Sequence, residues 1–159
     1  MNTSWQNVSR EFDPDGSLRD IYVSPVTLAD WQRVIDFVRE GGSEVSYSLD
    51  GQPSQLPASV SESFAARQHS SPSLTFRLGG VHFATHFFSD DELEFDFSPS
   101  DIHCQGDLDL LLGFIQRVGD LLTKPVSITP ENCREDAFLV YHPDSRAVSY
   151  TPAVFNRNV

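Results

Sequence analysis

A chain of 159 residues with 39% hydrophobic content is long and apolar enough to bury one core, which argues against wholesale disorder. Asp and Glu number 23 against 11 Lys and Arg, a net charge of −12. That balance argues against nucleic acid or an anionic membrane as partner and fits a basic protein.

Cys104 and Cys133 form no CxxC pair, so free thiols in a reducing, cytoplasmic setting are expected. The N-terminus has no apolar h-region, and no run reaches the roughly 18 apolar residues of a membrane helix. Residues 1–159 are read as a single α+β domain.

Residues 8–12 and 18–24 flank Asp13-Pro14-Asp15-Gly16, where Pro presets φ and Gly accepts φ > 0, so a first hairpin is expected. Ile21-Tyr22-Val23 is its better-buried strand, and Trp5 is a staple onto the core. Thr27 and Asp30 have capping-box spacing, and Trp31, Val34, Ile35 and Val38 recur at i, i+3, i+4 and i+7. This is an amphipathic helix that Gly41-Gly42 stops. Val45, Tyr47 and Leu49 alternate as a strand before the Asp50-Gly51 turn. Residues 52–72 are rich in Ser, Pro and Gln and read as a long surface loop with a short helix near 59–67. Such a loop is a candidate binding lip or simply mobile.

Gly79-Gly80 joins two alternating runs, a strong hairpin signal. A two-residue turn pairs Leu78 with Val81, Arg77 with His82 and Phe76 with Phe83. Leu74, Phe76, Leu78, Val81, Phe83, Thr85 and Phe87 then share the core face, and Thr75, Arg77, His82, Ala84 and His86 the polar one. Leu93, Phe95 and Phe97 continue the split against Glu94 and Asp96. Residues 107–123 form the second main helix, with Gly113 and Gly119 as points of close approach. Strands follow at 126–129, 137–141 and 147–150, then a loose tail at 152–159.

The fold expected is α+β: a mostly antiparallel sheet with two main helices on one face. Each half also reads strand, helix, strand, strand, strand, which suggests two pseudo-symmetric βαβββ halves.

His82, His86 and the Asp90-Asp91-Glu92 cluster offer metal-ligand chemistry, but positions i and i+4 of a strand stand roughly 13 Å apart and cannot share an ion. No metal and no cofactor are assigned. His103-Cys104 resembles a thiol nucleophile only superficially, and Cys104 reads as a small buried filler. No P-loop, GxGxxG or GxSxG element occurs, and no catalytic residue is assigned.

The acidic residues are the remaining lead. Asp90, Asp91, Glu92, Glu94 and Asp96 make a negative surface suited to steering a basic partner. In size, charge and mixed α+β make-up the chain resembles bacterial toxin-immunity proteins, small acidic domains that block a basic toxin. The resemblance covers those features alone and carries over no site residues. It implies a non-enzymatic, cytoplasmic protein-binding domain. A homodimer that pairs exposed strand edges is a separate reading. The alternative is a small hydrolase or ligand site on the polar sheet face, built on Arg77, His82 and His86.

Overall fold

The computed structural model describes residues 3–154. The chain runs through α1 (Trp5–Val8) into a 3-10 turn (Ser9–Phe12), then β1 (Arg19–Val23), α2 (Leu28–Gly41), β2 (Ser43–Leu49), β3 (Gln52–Ser54) and α3 (Val60–Ala66). Next come β4 (Pro72–Leu78), β5 (Val81–Thr85), β6 (Leu93–Phe97), a 3-10 turn (Pro99–Asp101), α4 (Gln105–Leu122), β7 (Val126–Pro130), β8 (Leu139–His142) and β9 (Ala147–Tyr150). The strands form a 9-stranded sheet ordered β3-β2-β4-β5-β6-β1-β7-β8-β9. Every pairing in it is antiparallel. This is the expected α+β architecture, and none of its described helices is long and apolar enough to cross a membrane.

The Gly79-Gly80 hairpin has the predicted register, with Leu78 opposite Val81 and Phe76 opposite Phe83. Gly79 takes φ +57°, and a Cβ there would lie 2.5 Å from Leu110 Cδ1, so both backbone and packing call for glycine. Phe114 of α4 joins the helix layer to the sheet: its ring lies 4.7 Å from Phe83, 5.6 Å from Phe95 and 5.7 Å from Phe76. Trp31, Val34, Ile35 and Val38 bury the matching stripe of α2. Its capping box forms as predicted, Thr27 and Asp30 exchanging side-chain-to-backbone hydrogen bonds of 3.1 Å. Lys124, just past α4, reaches the same Asp30 carboxylate at 3.0 Å, tying the helices together.

The first hairpin does not form, because residues 5–12 are helical. Trp5, Val8 and Phe12 fall at i, i+3 and i+7, one helical face; Val8 and Phe12 are buried, and Trp5 stacks on Phe12 at 6.0 Å. The Asp13–Gly16 turn wraps the buried Arg19 instead of joining strands. Arg19 Nε donates to the Glu11 carbonyl at 2.8 Å, and Nη1 to the Ser17 hydroxyl at 2.9 Å and Asp15 at 3.3 Å. A buried guanidinium needs that many acceptors, and the segment 11–18 supplies them.

The two halves do not share a topology, and the first carries the additional β3 and α3. After α2 the chain jumps to the far edge and returns inward through β4 to β5, whereas after α4 it moves outward from β7 to β9. Residues 52–72 also hold more structure than expected, since β3 and α3 lie within them. Of the expected loose tail, Ala153 is fully buried, its N–H 3.1 Å from Glu11 Oε2; residues 155–159 lie outside the described residues.

Gly119 and Gly113 differ sharply in α4. A Cβ on Gly119 would meet the Tyr141 ring at 2.5 Å and the Lys124 carbonyl at 3.2 Å, whereas one on Gly113 meets nothing within 4 Å. In urea unfolding, Gly119→Ala should destabilise by about 1–3 kcal/mol through overpacking. Gly113→Ala should stabilise by up to about 1 kcal/mol through helix propensity.

Candidate functional site

Alternation along the central strands turns every second side chain to the sheet face away from α2 and α4. There β1 presents Asp20 and Tyr22, β6 presents Glu94 and Asp96, and β5 presents His82 and Ala84, with His86 just past its end. Asp20 stands directly opposite Asp96, and Tyr22 opposite Glu94. Like charges so placed repel.

Glu94 is only 8% exposed, and its Oε2 is buried without a hydrogen-bond partner. Burial foremost, then the charges of Asp96 and Asp20, push its carboxyl up to about 8. At neutral pH Glu94 is therefore mostly the uncharged acid. Asp20 is also raised by burial, against hydrogen bonds from the Asn132 N–H at 2.7 Å and the Tyr22 hydroxyl at 2.9 Å. The Tyr22 phenol is pushed up by its own burial and then by Asp20. Asp96 lies 3.3 Å from His86 Nε2, and that hydrogen bond raises the imidazole above its ordinary value. Arg134 stacks 4.6 Å from the Tyr22 ring centroid, its guanidinium bonded to both oxygens of Glu92 at 2.6–3.0 Å.

His82 serves a different carboxylate, Asp101, at 3.2 Å. With Arg77, Thr75, Ala84 and Asp96 it lines a cleft of about 400 Å³; the short side chains of Thr75 and Ala84 leave room between the longer ones. Arg77 pairs with Glu44 at 3.3 Å, while its Nε has no hydrogen-bond partner. The histidines thus belong to separate pairs. Among the described residues, no group of three or more His, Cys, Asp and Glu could hold a metal ion.

The predicted acidic residues fall in three different settings. Asp90 and Asp91 are exposed, and Asp91 accepts a hydrogen bond from Ser89; Glu92 is tied to Arg134, while Glu94 and Asp96 line the sheet. Cys104 is exposed rather than a buried filler, because it occupies the N-cap position of α4, with Sγ 3.4 Å from Asp107 Oδ2. Both cysteines are free thiols.

Sequence reasoning missed Asp20 and Tyr22 as site residues, and also Arg134 and Phe88. Phe88 is 59% exposed, with the Arg67 guanidinium 4.6 Å from its ring centroid and the His86 ring at 5.3 Å. The alternation of Asp20 and Tyr22 with Ile21 signalled their shared face, but only the β1–β6 register reveals what stands opposite them.

The class is thus an α+β protein whose antiparallel sheet carries its main helices on one face and a cluster of carboxylates at the centre of the other. No family model, no curated protein and no solved structure matches the chain.

The Glu94 folded-state value lies above its unfolded one, so between about pH 4.5 and about 8 the native state holds a proton that the unfolded chain has released. This contribution to stability is present below pH 4.5 and lost as pH rises to 8. Wild type should therefore lose stability relative to Glu94→Gln across that window, by up to about 1.4 kcal/mol per pH unit. Urea unfolding of both proteins at pH 5, 6, 7 and 8 checks this (flat differences refute it).

Proposed function

We propose that this chain is a non-enzymatic binding protein that recognises a basic partner through the carboxylate-bearing sheet face and the adjoining loop 86–92. The observation that carries this reading is the opposition of Asp20 to Asp96 beside the recessed Glu94. A repulsive set at the centre of a sheet face is relieved by positive charge from outside. Exposed Phe88, with Asp90 and Asp91 following in sequence, supplies an aromatic anchor beside acidic side chains, the composition of an interface core and rim. The net charge of −12 adds long-range attraction for the same partner. Neutralisation of a basic toxin is the specific form of this reading, supported by size, charge and α+β make-up.

A second reading is favoured by one observation, the cleft of about 400 Å³ beside Arg77 and His82, large enough for a small ligand. His82→Ala would remove part of its wall and leave Asp20, Glu94 and Asp96 in place.

Tagged protein presented with source-cell lysate at low and high salt discriminates the two. A basic protein should be retained at low salt, weakened roughly tenfold or more at high salt, and lost from an Asp20→Asn, Asp96→Asn double variant that remains folded. His82→Ala should leave retention unchanged. Retention insensitive to salt and to the double variant would refute the acidic-face reading.

A further inference from the structure

We infer that Glu94 is the seat for a lysine ammonium contributed by the basic partner, an inference that rests on the recognition mode proposed above. Glu94 is more than nine-tenths buried, one of its carboxyl oxygens has no hydrogen-bond partner, and Asp20 of β1 and Asp96 of β6 stand on the same face. Burying a polar oxygen without a partner is unfavourable; this one has almost no solvent access, so an ammonium satisfies it only as the Glu94 side chain turns outward to the sheet face.

The nearby cations do not fill the role. Arg134 is bidentate on Glu92, His86 is paired with Asp96, and Arg77 is paired with Glu44. The remaining groups acting on Glu94 are acids, namely Asp20, Asp96 and Glu92. Tyr22 stands opposite it but donates its hydroxyl to Asp20.

The single unpartnered oxygen favours lysine over arginine. A guanidinium prefers two parallel acceptors, whereas an ammonium is a compact point charge on a narrow four-carbon stem. A recessed carboxylate with one buried, unpartnered oxygen matches the ammonium. Exposed Phe88, near His86 at the rim, offers apolar surface to the rest of the segment.

Charge balance gives the seat a signature. As the ammonium arrives, the Glu94 O–H bond breaks, its proton leaves to buffer, and a carboxylate–ammonium pair forms. At pH 7 binding should therefore release a proton, because burial and the neighbouring acids hold it on Glu94 in the free protein.

The test is calorimetric titration at pH 7 and low salt, in two buffers of different ionisation enthalpy. The probes are a short lysine-rich peptide and its arginine counterpart; the proteins are wild type, Glu94→Gln and, as a rim control, Asp91→Asn. The lysine peptide should bind wild type with release of about one proton and bind Glu94→Gln about tenfold or more weakly with none. Asp91→Asn should keep the proton release, and the arginine peptide should bind more weakly than the lysine peptide. Equal binding of the lysine peptide to wild type and Glu94→Gln without proton release would overturn the seat and leave acidic-face recognition standing. Equal binding of the two peptides would overturn the choice of ammonium. Failure of both peptides to bind wild type at low salt would overturn recognition and seat together.

Discussion

The pairing of β1 with β6 is the contact on which everything else depends. It joins a wing of β3, β2, β4, β5 and β6 to a wing of β1, β7, β8 and β9. It also brings residues 19–23 against 93–97, a long closure whose entropic cost grows only slowly with length. Ile21, Val23, Leu93, Phe95 and Phe97 are all essentially buried on its helix side. Each such side chain contributes about 1.5–3 kcal/mol of burial, while one opposed pair of like charges costs roughly 1 kcal/mol or less. The apolar face therefore sets the register, and the polar face has to accept Asp20 opposite Asp96. A one-residue slip would relieve the carboxylates only by turning Phe95 and its neighbours into water.

The one-sided helix layer explains why the consequence is exposed rather than masked. α2 and α4 spend their apolar stripes on the same face, with Phe114 at the junction of β4, β5 and β6. The opposite face carries Ser46, Ser48, Ser73, Thr75, Ala84 and Ser127 around the central carboxylates. Short side chains leave that surface low, so another chain can approach it closely. The loop 131–136 covers only part of the centre, with Asn132 capping Asp20 and Arg134 reaching Glu92.

What the sequence discloses follows the range of the interactions involved. The Gly79-Gly80 register was legible because a two-residue loop fixes its strands, and α2 because four apolar positions share a 3.6-residue period. The helical start was not, because residues 8–12 form a short run that fits strand and helix alike. The buried Arg19, whose acceptors span Glu11 to Leu18, decided the matter. Asp90 to Asp96 looked like one negative surface in the sequence. Folding divides it into an exposed turn, an ion pair and a recessed centre, and the strand that completes that centre comes from residues 19–23. No local pattern encodes such a partner.

Burial foremost, and then the neighbouring acids at the sheet centre, hold the Glu94 proton in place, and the negative potential of those acids concentrates cations near the face. A carboxyl that is uncharged in the free protein limits the desolvation that burial imposes. It can then become a carboxylate when a cation brings compensating charge. Glu94 is tolerable in the free fold because below about pH 8 it holds a proton rather than a charge; in the proposed recognition, a partner's cation would pair the charge that appears when that proton leaves.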